Sequence, residues 1–287
     1  MTSTTPPVAA ANGHAAYVRL LAVGDNVVDQ YPQQGVMYPG GNAVNVAVHA
    51  RRVGARAAYL GAVGTDRAGA VVLDALRAER VDTALTRVVE GPNAAAVVEV
   101  VDGNRVFADG DVGVSVFELT ADDLRAAGTF DVVHTGECSY VEPQLADLAR
   151  ASRRLSFDFS ERPWDYVQEY AHHASVAIWS APDGDLRSAQ RLAERLRELG
   201  PETAVVTLGA GGAMVLQEAV THRPAPAGEI VDTLGAGDAF IARFLVGLAR
   251  QEEMGGLLGA ATSYATRNCA HYGAFGYATS LSTTSSF

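Results

Sequence analysis

Lysine is absent from all 287 residues, so the 22 basic side chains are all arginine. That excludes a lysine Schiff base and the G-x-x-x-x-G-K-[ST] phosphate loop, and any phosphate this chain handles must be held by other groups. Cysteine occurs only at Cys138 and Cys269. Two cysteines make no disulfide framework and show no zinc-site spacing, which points to a reducing compartment. The formal net charge is -11, and no cluster of cations is present to neutralise a phosphate backbone, so nucleic acid is not an expected partner. Apolar runs fall short of the ~18 residues of a membrane span, and the first 16 residues lack the basic start and apolar block of a secretory leader. The expectation is a cytoplasmic protein with no membrane partner and a frayed N-terminal tail at 1–17.

What is present is a series of Val/Ile/Leu-rich runs with helical stretches between them: VRLLAVG, AAYLGAVG, DVVHTG, RLSFDFS, VAIWS and AVVTLG. They are too uniformly apolar for half-exposed strands, so they predict a mainly parallel sheet covered on both faces. Periodicity predicts helices near 43–53, 68–79, 142–153, 185–199, 238–250 and 256–271. One segment breaks the alternation. AAAVVEVVDGNRVFADG, residues 94–110, reads as two strands joined at Asp102-Gly103-Asn104. With a piece at 30–39, this hairpin at about 94–112 predicts a small antiparallel lid over the strand ends, where open α/β sheets bind ligands. Tyr31 and Tyr38 are expected to pack within it. The main domain is expected to run from 18 to 275, leaving 276–287 as a C-terminal tail in which TSLSTTSSF, residues 279–287, is expected to be mobile.

DTLGAGDAF, residues 232–240, places three small residues and two carboxylates between an apolar strand and an apolar helix. Gly235, Ala236 and Gly237 leave the backbone bare, so its N–H groups and the positive end of the helix can converge on one anion without lysine. Asp238 beside such a cradle is in place to accept a proton, a division of labour that suits phosphoryl transfer. The same letters also describe a tight turn followed by an N-capping Asp, and local grammar does not separate the two. In GGNAVNVAV, residues 40–48, Gly40 and Gly41 precede a helix that carries Asn42, Asn45 and His49 on one face and Val44, Ala47 and Val48 on another. Amides beside bare glycines suit a hydroxyl-rich ligand, although Asn42 as a cap and Asn45 as a solvated side chain read equally well. GDNVVD adds Asp25, Asn26 and Asp29 at the end of the first strand, as hydroxyl acceptors or as turn formers. VVTLGAGGAMV runs a strand into glycines, as close approach by a nucleotide or a plain turn requires; its spacing is not that of a dinucleotide site. His172 and His173, adjacent on a helix, point apart and make no metal site.

Together, GDNVVD, GGNAVN, GAVGTDRAG, the hairpin, VTLGAGG and DTLGAGD resemble the ribokinase-like (PfkB) carbohydrate kinases over about Val18 to Phe275. The resemblance implies a three-layer α/β sandwich with a small antiparallel β lid, and an ATP-dependent sugar kinase. In that reading Gly235, Ala236 and Gly237 form the anion hole and Asp238 deprotonates the acceptor hydroxyl. Asp29, Gly40, Gly41 and Asn45 match sugar-site positions, Thr207, Gly209 and Gly212 match the nucleotide stretch, and Asn268 lies near the adenine. Magnesium is implied with ATP, and a monovalent cation such as K+ is compatible. The opening GDNVVDQYP, the flap GNRVFADGDVGV and the FDFS and SAP stretches resemble the fructoselysine 6-kinase branch, which implies phosphorylation of the 6-hydroxyl of an Amadori product. Arg105, Asp109 and Glu137 are then candidates for its charged tail. Kinases of fructose, ribose or a ketodeoxy acid, or a descendant that binds without catalysis, are the alternatives. One departure concerns the Asn-x-x-Glu motif that organises magnesium in the family: here the place reads SAPDGD, with Ser180 and Asp183 standing in. A lid edge that two subunits could share leads to the expectation of a homodimer.

Overall fold

The computed structural model describes residues 17–101, 104–181 and 184–281, with the backbone alone at 99–101 and 104–108. The tip of the expected hairpin, Asp102-Gly103, lies outside the described residues, as do 1–16 and 282–287. The chain runs through β1 (Arg19–Val23), β2 (Val27–Tyr31), β3 (Val36–Gly40), α1 (Asn42–Arg52), β4 (Arg56–Leu60), β5 (Ala62–Gly64), α2 (Arg67–Ala78), β6 (Arg87–Val89), β7 (Ala95–Val101) and β8 (Asn104–Asp111). It continues through α3 (Ala121–Ala127), β9 (Val132–Gly136), α4 (Leu145–Ala151), β10 (Leu155–Asp158), α5 (Trp164–Tyr170), β11 (Val176–Ser180), α6 (Leu186–Glu198) and β12 (Thr203–Thr207). The last elements are β13 (Ala213–Leu216), β14 (Val220–Arg223), α7 (Ala236–Ala249), α8 (Met254–Asn268) and β15 (Thr279–Ser280).

Among the described residues, eight strands form one sheet in the order β14-β13-β12-β11-β10-β9-β1-β4. It is parallel from β4 to β12 and antiparallel where β13 and β14 turn back at the edge. Successive strand residues bury on opposite faces: Leu20 and Ala22 join one apolar layer, Leu21 and Val23 the other. The first layer packs under α1, α2, α7 and α8, and the second under α3 to α6. Covering both faces is why these strands are continuously apolar rather than alternating.

The helices α3 and α5 are additional to those expected from periodicity. Both are short, but α3 carries a sequence signal: Thr120 and Asp123 close a reciprocal capping box before its first turn. The second sheet has the order β15-β3-β2-β7-β8. Its pairings are antiparallel except β2 with β7, which is parallel. Tyr31 and Tyr38 pack edge to face within it, their centroids 5.3 Å apart. The mobility expected from 279 is corrected for residues 279–281: Thr279 pairs with Met37, and the Leu281 N–H donates to the Gly35 carbonyl at 2.8 Å. Backbone groups that complete a sheet edge hold these residues in place, which no side-chain pattern in a Ser/Thr-rich stretch announces.

In the large sheet β1 lies between β4 and β9, so the chain leaves its carboxyl end in two directions and a crevice opens there. The residues just past the carboxyl ends of β1, β9 and β10 are therefore where a site should form. Among the described residues no helix is long and apolar enough to cross a membrane.

Candidate active site

The amino terminus of α7 faces this crevice. Gly235, at φ +72°, is the residue before the helix, and a Cβ built there would lie 2.6 Å from the Ala274 Cβ. Only glycine combines that left-handed backbone with so close a neighbour. At Gly237 a Cβ would meet nothing within 4 Å, and the residue lines a cavity of about 830 Å³. The first-turn amides of a helix have no intrahelical acceptors, and the helix dipole adds positive potential at the same end. Here the Ala236 N–H reaches the Thr233 carbonyl at 3.2 Å, which leaves the amides of Gly237 and Asp238 as the open donors of the turn. Thr207 and Gly212 line the cavity from the β12–β13 turn, and Ala265 and Thr266 from α8. Gly212, at φ +86°, sits against the Arg223 carbonyl, 2.0 Å from where a Cβ would be; Gly209 opens the preceding turn. The Thr207 hydroxyl donates to Ser180 Oγ at 3.0 Å. An apolar wall ending in bare backbone and a helix amino terminus can take a nucleotide.

Beside the turn lies a network of carboxylates and amides. Asp238 Oδ1 accepts from Asn42 Nδ2 at 2.8 Å, and Oδ2 from Asn45 Nδ2 at 2.7 Å. The same Asn42 nitrogen donates to Asp158 Oδ2 at 2.9 Å. Because two carboxylates claim that nitrogen, Asn42 Oδ1 is the acceptor, and His134 Nε2, 3.0 Å away, must carry its proton. His134 Nδ1 is then free to accept from Ser156 Oγ at 3.2 Å. Burial pushes His134 down to about 3, which keeps it neutral and this tautomer fixed. Asp25 caps α1 from the end of β1, accepting the Asn42 and Ala43 amides at 2.8 and 3.1 Å and the Ser139 hydroxyl at 3.1 Å. Burial raises its pKa against those hydrogen bonds. Asp238 is pushed up to about 8, chiefly by burial and further by the charges of Asp158 and Asp25, against the two amides. Burial lifts Asp158 to about 6, with Glu137 and Asp25 adding to it.

The expected site residues divide by where they lie. Asp29 presses its carboxylate on Gly40, where a Cβ would come within 2.4 Å of Oδ2, and Gly41, at φ +104°, lies against Asn26 Cα and Asp25. These join Asn42, Asn45 and Asp238 at one place. Asn26 turns inward instead, its Nδ2 donating to Tyr59 Oη at 3.0 Å and the Ala62 carbonyl at 2.6 Å. Glu137 is at the rim, paired with Arg162 at 2.7 Å. Asp109 is exposed on β8; the Arg105 side chain and Asp183 lie outside what is described. The Asn268 side chain itself turns from the cavity, its Nδ2 donating to the Ala274 carbonyl at 2.8 Å, while its neighbours Thr262, Ala265 and Thr266 of α8 and Cys269 just past it line the cavity. Asn268 braces the loop behind Gly235. Asn268→Ala is therefore expected to lower stability by about 1–3 kcal/mol in thermal melts with little change in KM for nucleotide, whereas an adenine contact predicts the reverse.

Asp158, His134 and Glu161 were absent from the expected set. Asp158 stands in the FDFS stretch and His134 in DVVHTG, polar residues at the carboxyl ends of otherwise apolar strands, and that position was the available signal. Glu161 is the carboxylate among the cavity's described lining residues.

A model of the pfkB family of carbohydrate kinases matches residues 10–276. The fructosamine kinase FrlD of Bacillus subtilis (strain 168) is 37% identical over 270 residues, covering 91% of this chain and 94% of that protein. A fructoselysine 6-kinase of Escherichia coli (strain K12) is 34% identical over 260 residues, covering 89% and 99%. In solved structures the fold is similar to an Arabidopsis thaliana ribokinase complexed with ribose and ATP, with a TM-score of 0.79 at 20% identity and coverage of 91% and 95%.

Proposed function

The chain belongs to the pfkB family of carbohydrate kinases, and within it we propose that the reaction is transfer of the ATP γ-phosphate to the 6-hydroxyl of fructoselysine or a closely related Amadori product. The observation that carries the kinase chemistry is Asp238 beside the bare Gly235-Ala236-Gly237 turn, at the mouth of a cavity of nucleotide size. The substrate rests on the two relatives named for fructosamine and fructoselysine, at 37% and 34% identity.

Asp238 takes the proton of the acceptor hydroxyl as its oxygen attacks the γ-phosphorus. The open amides and positive end of α7 meet the charge that spreads over the transferred group. Asp29, Asn45 and the backbone of Gly40 and Gly41 orient the sugar so that attack is in line. The cavity between β12–β13 and α8 fits the nucleotide. Glu161 and Ser180 line the cavity and would hold the waters of magnesium carried on the nucleotide phosphates. Bound magnesium supplies charge neutralisation on the phosphates. The strand β8 leaves one edge of the lid sheet open, which supports a homodimer through the lids.

The test is ADP release with magnesium-ATP on fructoselysine, fructose, ribose, ketodeoxygluconate and adenosine, with phosphorus NMR of the product. The expected result is a kcat/KM on fructoselysine at least ~100-fold above the rest, with phosphate on the 6-hydroxyl. Preference for another sugar, or phosphate on another hydroxyl, overturns the substrate.

A further inference from the structure

The Asn42 nitrogen that holds Asp238 at 2.8 Å also holds Asp158 at 2.9 Å. One nitrogen thus gathers two carboxylates, close enough for each to oppose the other's ionisation. The amide cannot rotate away, since His134 Nε2 fixes its oxygen at 3.0 Å and Ser156 fixes His134. A neutral sugar needs one carboxylate here as a base, and the second is surplus.

Charge around the pair is negative on most sides. From β1 comes Asp25, spent on two α1 amides and Ser139. The end of β9 contributes neutral His134, Glu137 and Cys138, whose thiol is raised by burial and by the carboxylates near it. The segment after β10 brings Arg162, which is paired with Glu137; α1 offers only the amides of Asn42 and Asn45. A separate observation concerns Asn45, which is 4% exposed and whose Oδ1 has no hydrogen-bond partner among the described residues. Turning that amide over presents Oδ1 to Asp238 Oδ2, where it would accept from a protonated carboxyl. Either orientation leaves one end of the amide unpartnered, Oδ1 in one and Nδ2 in the other, so Asn45 can meet Asp238 with or without a proton.

We propose that Asp158 acts with Asp238 as one proton-sharing pair bridged by Asn42, and that an ammonium on the substrate, seated beside Asp158 and Glu137, drives the shared proton to solvent and so frees Asp238 as the base. This rests on the aminated-sugar reading above. Asp238 then accepts the hydroxyl proton as the new O–P bond forms and the bond from the γ-phosphorus to the β–γ bridging oxygen breaks, leaving ADP. Asp158 meets the substrate's ammonium in this scheme but takes no proton from the hydroxyl, and the selectivity it gives lies in kcat as well as in binding.

The experiment is the pH dependence of kcat, which reports ionisations in the bound complex, between pH 5.5 and 8.5 on saturating fructoselysine and fructose, for the native enzyme and Asp158→Asn. In the native enzyme the limb on which activity rises with pH should lie about one unit lower on fructoselysine than on fructose. In Asp158→Asn the fructose limb should move to lower pH by about one unit, and the preference for the aminated sugar should fall about tenfold. Unshifted limbs with activity lowered equally on both sugars overturn the pairing and leave Asp158 a structural part. If fructose or another neutral sugar is the true substrate, the limb shift on that sugar still decides the pairing, while the ammonium step is overturned together with the Amadori reading. Should the variant fold poorly, calorimetry of the native enzyme in two buffers of different ionisation enthalpy reads the same step: fructoselysine binding should release close to one proton and fructose none, and equal release on both sinks the proposal.

Discussion

Asp238→Asn should lower kcat by about 10³-fold while changing ATP affinity by no more than about threefold. The amide has nearly the carboxylate's shape but cannot take a proton, so the γ-phosphoryl group meets a hydroxyl that is no longer being deprotonated. Retained activity above about a tenth of native would remove Asp238 from the role of base. The same variant should be more stable than the native protein, by an amount that grows with pH. Folded Asp238 keeps its proton up to about 8, against 3.8 as its ordinary value, so between those limits the folded state binds more protons than the unfolded one. Its contribution to stability is therefore complete below about pH 4 and is lost as pH rises through 8. Asparagine never ionises and suffers no such loss. Melting curves of the unliganded proteins should nearly coincide at pH 4 and separate by several degrees at pH 8, about 2–3 kcal/mol after allowing for solvent at the crevice. A separation that shrinks with pH would show that Asp238 is ionised in the free enzyme.

Gly235→Ala is the second large effect, and here geometry decides. The residue has φ +72°, and the added Cβ would meet the Ala274 Cβ at 2.6 Å and its Cα at 2.8 Å. Ala274 cannot move aside cheaply, because its carbonyl accepts from Asn268 Nδ2 at 2.8 Å and lies 3.1 Å from His49 Nε2. Backbone strain and overlap together should cost about 2–4 kcal/mol. Displacing the start of α7 by a fraction of an ångström should lower kcat about 10²-fold. Gly237→Ala makes the internal contrast. Nothing lies within 4 Å of its Cβ, so stability should hold or rise by up to ~1 kcal/mol, while the methyl enters the space that the phosphates need and turnover falls. Equal thermal stability of both variants would remove the argument that Ala274 sets the shape of the turn.

Much of the active site was legible along the chain. GGNAVN and DTLGAGD could be read because glycine, asparagine and aspartate stand where a buried segment would otherwise be apolar, and short-range geometry restricts what such letters can do. Asp158 and His134 were harder to see. Each is a polar residue in a mostly apolar strand, and its meaning depends on Asn42, which is 116 residues from Asp158 and 92 from His134. Asn268 shows the converse: its place in the chain suggested the adenine, but the α8 face it occupies points at the Ala274 carbonyl.

By itself the sequence determined the class of fold, through continuous apolar strands that only a sheet covered on both faces can bury. It also carried the family resemblance that implies a sugar kinase, through a glycine turn with an aspartate beside it and the other motifs in their order. The tertiary structure alone decided which carboxylates share a hydrogen-bond donor, which asparagine faces the site and which braces it, and that residues 279–281 belong to the lid. Those outcomes depend on distances between residues far apart in the chain, and they are fixed when the sheet brings the carboxyl ends of β1, β9 and β10 against the amino termini of α1 and α7.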